Sequence, residues 1–149
     1  MVRLNNFDLA IIGGGPAGLF LAKEAKKKGL NTIIFDREER LGGILKQCIH
    51  TGFGVEIYKK DMTGPELIEE LMEEVLNLDI PYYTKSMCIG FENNKLFFYS
   101  PKGVIELSSN YYAFSLGARE RARGSLFIEG SRPSGVFTAG FAQYITNIL

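Results

Sequence analysis

Two short apolar runs, Leu9-Ala10-Ile11-Ile12 and Thr32 to Phe35, are bounded by turn-forming residues and have the length of buried strands. Between them, Leu19 to Lys28 has helical character, with Ala22 and Gly29 small enough to let a helix lie close and turn back. Residues 37 to 64 break both periods. Glycines stand at 42, 43, 52, 54 and 64, which predicts a long loop with one helical turn around Gly43 to Cys48. Residues 65 to 78 return to a helical period, with Leu67, Leu71, Val75 and Leu78 on one stripe. Pro65 suits the first turn, Thr63 suits the cap, and Glu66, Glu69 and Glu70 favour the N-terminal end. Strands are then predicted at 80–83, 86–92, 95–100, 103–107 and 110–116. Asn93-Asn94 and Pro101-Lys102-Gly103 supply the turns of a three-stranded antiparallel meander. Residues 119 to 134 read as an Arg- and Gly-rich loop, 135 to 138 as a last short strand, and 141 to 149 as a helix. Tyr82, Tyr83, Tyr111 and Tyr112 read as strand residues with partly buried rings.

The fold class expected from this order is α/β. It combines a Rossmann-like parallel sheet, helices on one face and the three-stranded meander on the other. The ligand crevice lies at the carboxyl ends of the parallel strands. The residues between the first two runs sharpen this. Gly13-Gly14-Gly15-Pro16-Ala17-Gly18 follows the first strand directly, and Asp36 closes the second. Strand, glycine turn, helix, strand and acid is the order of a dinucleotide-binding unit. Gly13 permits a tight exit from the strand, Gly15 lets backbone approach a pyrophosphate, and Gly18 allows close helix packing. Pro16 and Ala17 complete the turn, and the N-terminus of the helix that follows favours phosphate. Asp36 suits a ribose diol.

Composition narrows the partners. Seventeen basic and seventeen acidic residues give zero formal net charge, which argues against a nucleic-acid surface. No apolar run approaches the ~20 residues of a membrane span, and the N-terminus does not read as a signal peptide. Cys48 and Cys88 form neither a CxxC pair nor part of a metal-ligand cluster, so no metal is expected and a cytoplasmic location is.

The glycine turn alone suits FAD, NAD or NADP. The position of the unit near the first residue favours FAD. So does Asp36-Arg37-Glu38-Glu39-Arg40-Leu41-Gly42-Gly43, whose glycine pair lets backbone pass close to an extended ligand. Here the chain resembles the two-dinucleotide-domain flavoproteins, the glutathione-reductase-like superfamily. LGGILKQCIHTGFG, MTGPEL, LGARERARG and GSRPSGVFTAGFAQYITN resemble one branch of it. That branch includes glycerol-3-phosphate-associated NAD(P)/FAD-dependent oxidoreductases, sarcosine oxidase alpha subunits and the FAD subunits of amine and opine dehydrogenases. The resemblance implies FAD held by Gly13, Gly15, Pro16, Ala17, Gly18, Asp36, Arg37, Gly42 and Gly43. It adds backbone near Cys88 facing adenine and the turn at Gly117 close to the cofactor. Family members carry Ala-Thr-Gly at that turn, where this chain has Ser115-Leu116-Gly117.

The resemblance also implies a second, NAD(P)-binding unit and a returning FAD segment. Residues 1 to 149 read as one FAD-binding domain without them. The expectation is an FAD-binding part of an oxidoreductase that exchanges electrons between NAD(P)H, or an amine or alcohol, and FAD. NAD(P) would enter only with the missing segments or a partner subunit. The alternative is a non-catalytic FAD/ADP-binding module or a truncated fragment, with turnover by this chain alone not expected.

Candidates for further chemistry are few. Cys48 has no cysteine nearby, which excludes a disulfide-reductase mechanism, and it reads first as a small buried thiol. His50 reads as a general base or flavin-orienting group, or as a structural or surface histidine. Lys46 and Gln47 are within sequence reach of a flavin, with Lys46 expected to face solvent. Arg119, Arg121, Arg123 and Arg132 form a basic group whose expected role is solvated or structural, with Glu120 or Glu129 as pairing candidates. An exposed apolar patch is expected near Ala139 to Leu149, where a further domain would pack.

Overall fold

A computed structural model describes residues 1–131 and 133–148. One six-stranded sheet runs in the order β3-β2-β1-β6-β5-β4. Its strands are β1 (Val2–Ile12), β2 (Thr32–Phe35), β3 (Tyr82–Tyr83), β4 (Met87–Glu92), β5 (Lys95–Ser100) and β6 (Gly103–Phe114). β3, β2, β1 and β6 are mutually parallel, whereas β6, β5 and β4 form the antiparallel meander. Helix α3 (Gly64–Asn77) follows the expected boundaries within one residue, whereas α1 (Pro16–Lys27) begins three residues before the expected Leu19.

Alternation along the strands sorts the core into two layers. Leu9, Ile11 and Ile34 face α1 and α3, where they meet Leu19, Ala22, Leu67, Ile68, Leu71 and Val75. Ala10, Ile12, Ile33 and Phe35 face the other way and pack on Leu96, Phe98, Ile105 and Leu107 of the meander. Phe35 stacks on Phe98 with ring centroids 4.0 Å apart, and on Tyr83 at 5.0 Å. Helices on one face and meander on the other is the arrangement anticipated.

Three local expectations are corrected. The predicted strands 103–107 and 110–116 are one strand, β6. The expected break at 108–109 is absent, and Ser109 and Asn110 bond to β1. Ser109 Oγ donates to the Phe7 carbonyl at 3.1 Å, and Asn110 Nδ2 donates to Asp8 Oδ1 at 3.0 Å. The predicted strand at 135–138 is irregular. Among the described residues no strand pairs with it, and Thr138 is committed to the start of helix α4 (Ala139–Ile148), its carbonyl accepting from the Ala142 amide at 2.9 Å. The loop 37–64 holds more order than expected. A 3₁₀ turn spans Gly43–Gln47, a single-turn helix α2 spans Val55–Tyr58, and Phe53 and Met62 form a bridge. Of the tyrosines, Tyr83 and Tyr112 are half-buried, whereas Tyr82 and Tyr111, in register with Ile34 and Leu9 on the helix side of the sheet, are exposed on the strands that flank β2 and β1.

α4 is amphipathic in an inverted sense. Gln143 and Asn147 face the protein, where they bond to Gln47. Phe137, Phe141, Tyr144 and Ile148, spaced along one stripe, are exposed. The expected apolar patch is therefore present over 137–148, and its last predicted residue, Leu149, lies outside the described residues.

Candidate functional site

The site is built around the turn that leaves β1. Gly13 has φ +106°, and a Cβ added there would lie 2.3 Å from the Ser115 carbonyl oxygen, so only glycine is admitted. The Gly13 amide donates to the Phe35 carbonyl at 2.8 Å, tying the turn to the end of β2. The Gly14 amide donates to Asp36 Oδ2 at 2.6 Å, and the Gly14 carbonyl accepts from the Gly42 amide at 2.7 Å. A Cβ on Gly18 would lie 1.9 Å from the Gly13 carbonyl oxygen. Glycine at 18 thus makes room for that carbonyl as well as for helix packing.

Gly15 differs from these. It caps α1 in extended conformation, with φ −75° and ψ −175°, which any residue adopts. The atom nearest to an added Cβ is Gly43 Cα at 3.8 Å, an ordinary contact. The fold itself does not require glycine at this position. Pro16 occupies the first turn of α1, where its missing N–H is no loss. The first-turn amides beyond it have no intrahelical acceptors, and no acidic side chain competes for them. An anion at this end would meet free N–H groups and the positive end of the helix dipole.

Asp36 is buried beneath this turn. Oδ2 takes the Gly14 amide and Oδ1 takes the Glu38 amide at 2.8 Å. A carboxylate has about four lone-pair sites, so both oxygens can accept further bonds from a diol. Its backbone is fixed as well, the amide donating to the Tyr83 carbonyl and the carbonyl accepting from the Ser86 amide, each at 2.8 Å. Next to it, Glu39 accepts a bond from Lys85 at 2.5 Å. That bond and the lysine charge hold the Glu39 carboxyl below its usual range.

Gly42 and Gly43 bring a second backbone segment against the turn. Gly42 has φ +118°, and a Cβ there would lie 2.7 Å from Ile68 Cγ2. Gly43 has φ +57°, and its added Cβ would lie 3.0 Å from Gly15 Cα. Buried Leu41 and Leu45 anchor the segment on α3. Gly13 to Gly18, Asp36, Gly42 and Gly43 therefore converge at the carboxyl ends of β1 and β2.

The other candidates spread out. Arg37 is exposed, its Nε 3.3 Å from Glu38 Oε1. Cys88 lies on the edge strand β4, packed on the layer that contains Phe35. Gly117 is exposed with φ +67°, two residues past the Ser115 contact. Cys48 is half-buried, its thiol 3.5 Å from the Ile44 carbonyl and 4.0 Å from Gln143 Nε2. His50 is exposed, its Nδ1 2.9 Å from the Thr51 carbonyl oxygen. Lys46 is half-buried overall, and its ammonium lies at the exposed surface, donating to the Arg40 carbonyl at 2.9 Å. Glu120 forms no ion pair with an arginine among the described residues. It accepts from the Thr138 hydroxyl at 2.5 Å and from the Gly140 amide at 2.9 Å. Arg123 donates to the carbonyls of Glu129, Gly130 and Ser131. Arg132 lies outside the described residues.

Two groups escaped the sequence reading. Ser115 reaches back to the glycine turn, with Oγ donating to the Gly13 carbonyl at 2.7 Å. Its only sequence signal is a hydroxyl at the end of a strand adjacent to β1. Lys23 is buried on α1, its Nζ 2.9 Å from Glu74 Oε2 and 3.3 Å from the Tyr58 hydroxyl, which itself donates to Glu74 Oε1 at 2.8 Å. Burial and then the Glu74 bond push the Tyr58 phenol up. A cleft of about 630 Å³ is lined by residues of the segments 120–124 and 133–141 and by none of the turn. Its charged groups, Glu120 and Arg123, are engaged internally, so it reads as a packing surface rather than a reaction site.

Known proteins resemble this chain in sequence and fold. Residues 11–60 match the family described as an NAD(P)-binding Rossmann-like domain. A thioredoxin reductase of Ureaplasma parvum is 41% identical over 75 residues, covering 50% of this chain and 23% of that protein. A ferredoxin–NADP reductase of Lactobacillus gasseri is 33% identical over 116 residues, 77% of this chain and 36% of that one. A FAD-dependent oxidoreductase of Emericella nidulans is also a relative. Among solved structures, L-proline dehydrogenase from P. horikoshii superposes with a TM-score of 0.80 at 24% identity, covering 99% of this chain and 29% of that chain. This chain thus spans about a third or less of these relatives' length. Its relatives include an FAD-dependent oxidoreductase and reductases, and its residues 11–60 resemble a Rossmann-like domain.

Proposed function

We propose that this chain, a Rossmann-like unit related to flavin-dependent oxidoreductases, holds FAD as one part of such an enzyme. The diphosphate lies at the N-terminus of α1, and Asp36 accepts the adenosine ribose. Gly42 and Gly43 give backbone room for the extended cofactor. Gly15 carries this reading. The protein leaves space for a side chain at 15, so the glycine answers to something outside the polypeptide, and a pyrophosphate lying against the turn is that neighbour. When bound, FAD would supply the redox chemistry, and this chain would supply binding and orientation.

The electron donor is NAD(P)H, an amine or an alcohol, and its site lies on polypeptide supplied by a partner subunit or a further domain. Two surfaces support this. The stripe Phe137, Phe141, Tyr144 and Ile148 is exposed. Residues 109–114 of β6 pair with β1 on one side, and β5 pairs only with 103–108, which leaves the rest of that edge open among the described residues. No helix of the described residues is long and apolar enough to cross a membrane, and a cytoplasmic location is part of the proposal.

A second reading, NAD(P) in the same turn, is favoured by the description of the matched family. Competition separates the two. FAD should bind the purified chain in a 1:1 ratio, and excess NADPH should leave it bound. Displacement of FAD by NADPH at equal concentration would favour the second reading.

A further inference from the structure

The peptide group between Gly13 and Gly14 is held from both ends. Its carbonyl, on Gly13, accepts the Ser115 hydroxyl at 2.7 Å. Its amide, on Gly14, donates to Asp36 Oδ2 at 2.6 Å. A planar peptide gripped at its C=O and its N–H cannot rotate without breaking one of the two bonds. Ser115 is itself anchored, since its amide donates to the Ile12 carbonyl at 2.8 Å as β6 ends. Gly18 completes the fit, because the Gly13 carbonyl passes where its Cβ would stand.

We propose that Ser115 is a positioning residue for the dinucleotide turn. Its hydroxyl fixes the Gly13–Gly14 peptide, and this aims the following backbone amides and the start of α1 at the diphosphate. The inference rests on the proposed dinucleotide site and assigns the hydroxyl a part in phosphate binding rather than in ribose or adenine binding.

The test is calorimetric titration of the full chain with ADP and with adenosine, for wild type and Ser115→Ala. A net hydrogen bond of ordinary strength predicts ADP binding weaker by about threefold to tenfold in the variant. Adenosine affinity should stay unchanged, a split that general destabilisation would not produce. Amide hydrogen exchange at Gly14, measured by NMR without ligand, should be faster in Ser115→Ala by a similar factor. Equal ADP affinity, or equal loss for ADP and adenosine, would overturn the proposal. If wild type binds neither ligand, the dinucleotide site itself fails, and unchanged Gly14 exchange would then refute the positioning role separately.

Discussion

The Asp36 carboxylate and the Gly14 amide meet at 2.6 Å across 22 positions of sequence, joining the end of β2 to the turn that leaves β1. The bond is buried, so its loss leaves an amide without a partner. Asp36→Ala is expected to destabilise the fold by about 1–3 kcal/mol. The same change should weaken adenosine as well as ADP, because the ribose acceptor is removed. Urea denaturation with parallel ligand titration checks both. Full stability in Asp36→Ala would contradict the role given to this bond.

Lys23 and Glu74 tie α1 to α3, and the Tyr58 hydroxyl bridges them from α2. Burial pushes the Glu74 carboxyl up, but the bonds from Lys23 and Tyr58 outweigh it and hold the group below its usual range. Glu74→Leu strands the buried ammonium of Lys23 and is expected to cost about 3–5 kcal/mol. The double change Lys23→Met with Glu74→Leu should recover most of that, since it removes both charges. Urea midpoints of the two variants compare these directly, and a double variant no better than the single would refute the ion-pair account.

Glu120 caps α4, and the Thr138 hydroxyl first, then the Gly140 amide, hold its carboxyl below the usual range. A carboxyl lowered by folding stabilises the folded state above its unfolded value. That contribution disappears as pH falls through the folded value. Hydrogen exchange in α4 should therefore be slower in wild type than in Glu120→Ala at neutral pH. The two should converge once the pH falls below the ordinary carboxylate range. A difference that persisted in acid would locate the stabilisation elsewhere.

What could be read from the chain is what neighbouring residues determine. The α3 boundaries follow from Pro65 and from the Thr63–Glu66 capping box, in which each residue satisfies the other's backbone amide. Leu9–Ile12 and Thr32–Phe35 are strands because both of their faces find cover. The misreadings arise where distant residues decide. Residues 108 and 109 were expected to separate two strands, but Ser109 bonds to Phe7 and Asn110 to Asp8, each across 102 positions, within a continuous β6. Residues 55–58 show no long period, and Lys23, 35 positions earlier, holds their tyrosine. The glycine turn was legible as a motif, whereas its Ser115 partner was not, because nothing local marks a hydroxyl that acts across 102 residues.

The last two glycines of the turn separate folding from binding. Gly18→Ala places a Cβ 1.9 Å from the Gly13 carbonyl, whereas the nearest neighbour of a Cβ at 15 is 3.8 Å away. Gly18→Ala should lose about 1–3 kcal/mol of stability, and Gly15→Ala should keep wild-type stability. Equilibrium titration with FAD, followed by flavin fluorescence on wild type and on folded Gly15→Ala, is the most direct measurement. The expected result is saturable 1:1 binding to wild type and a loss of at least about tenfold in Gly15→Ala, roughly the 1.4 kcal/mol of one displaced phosphate contact. A folded wild-type chain that takes up no FAD, or a Gly15→Ala chain that binds it equally well, would contradict the account.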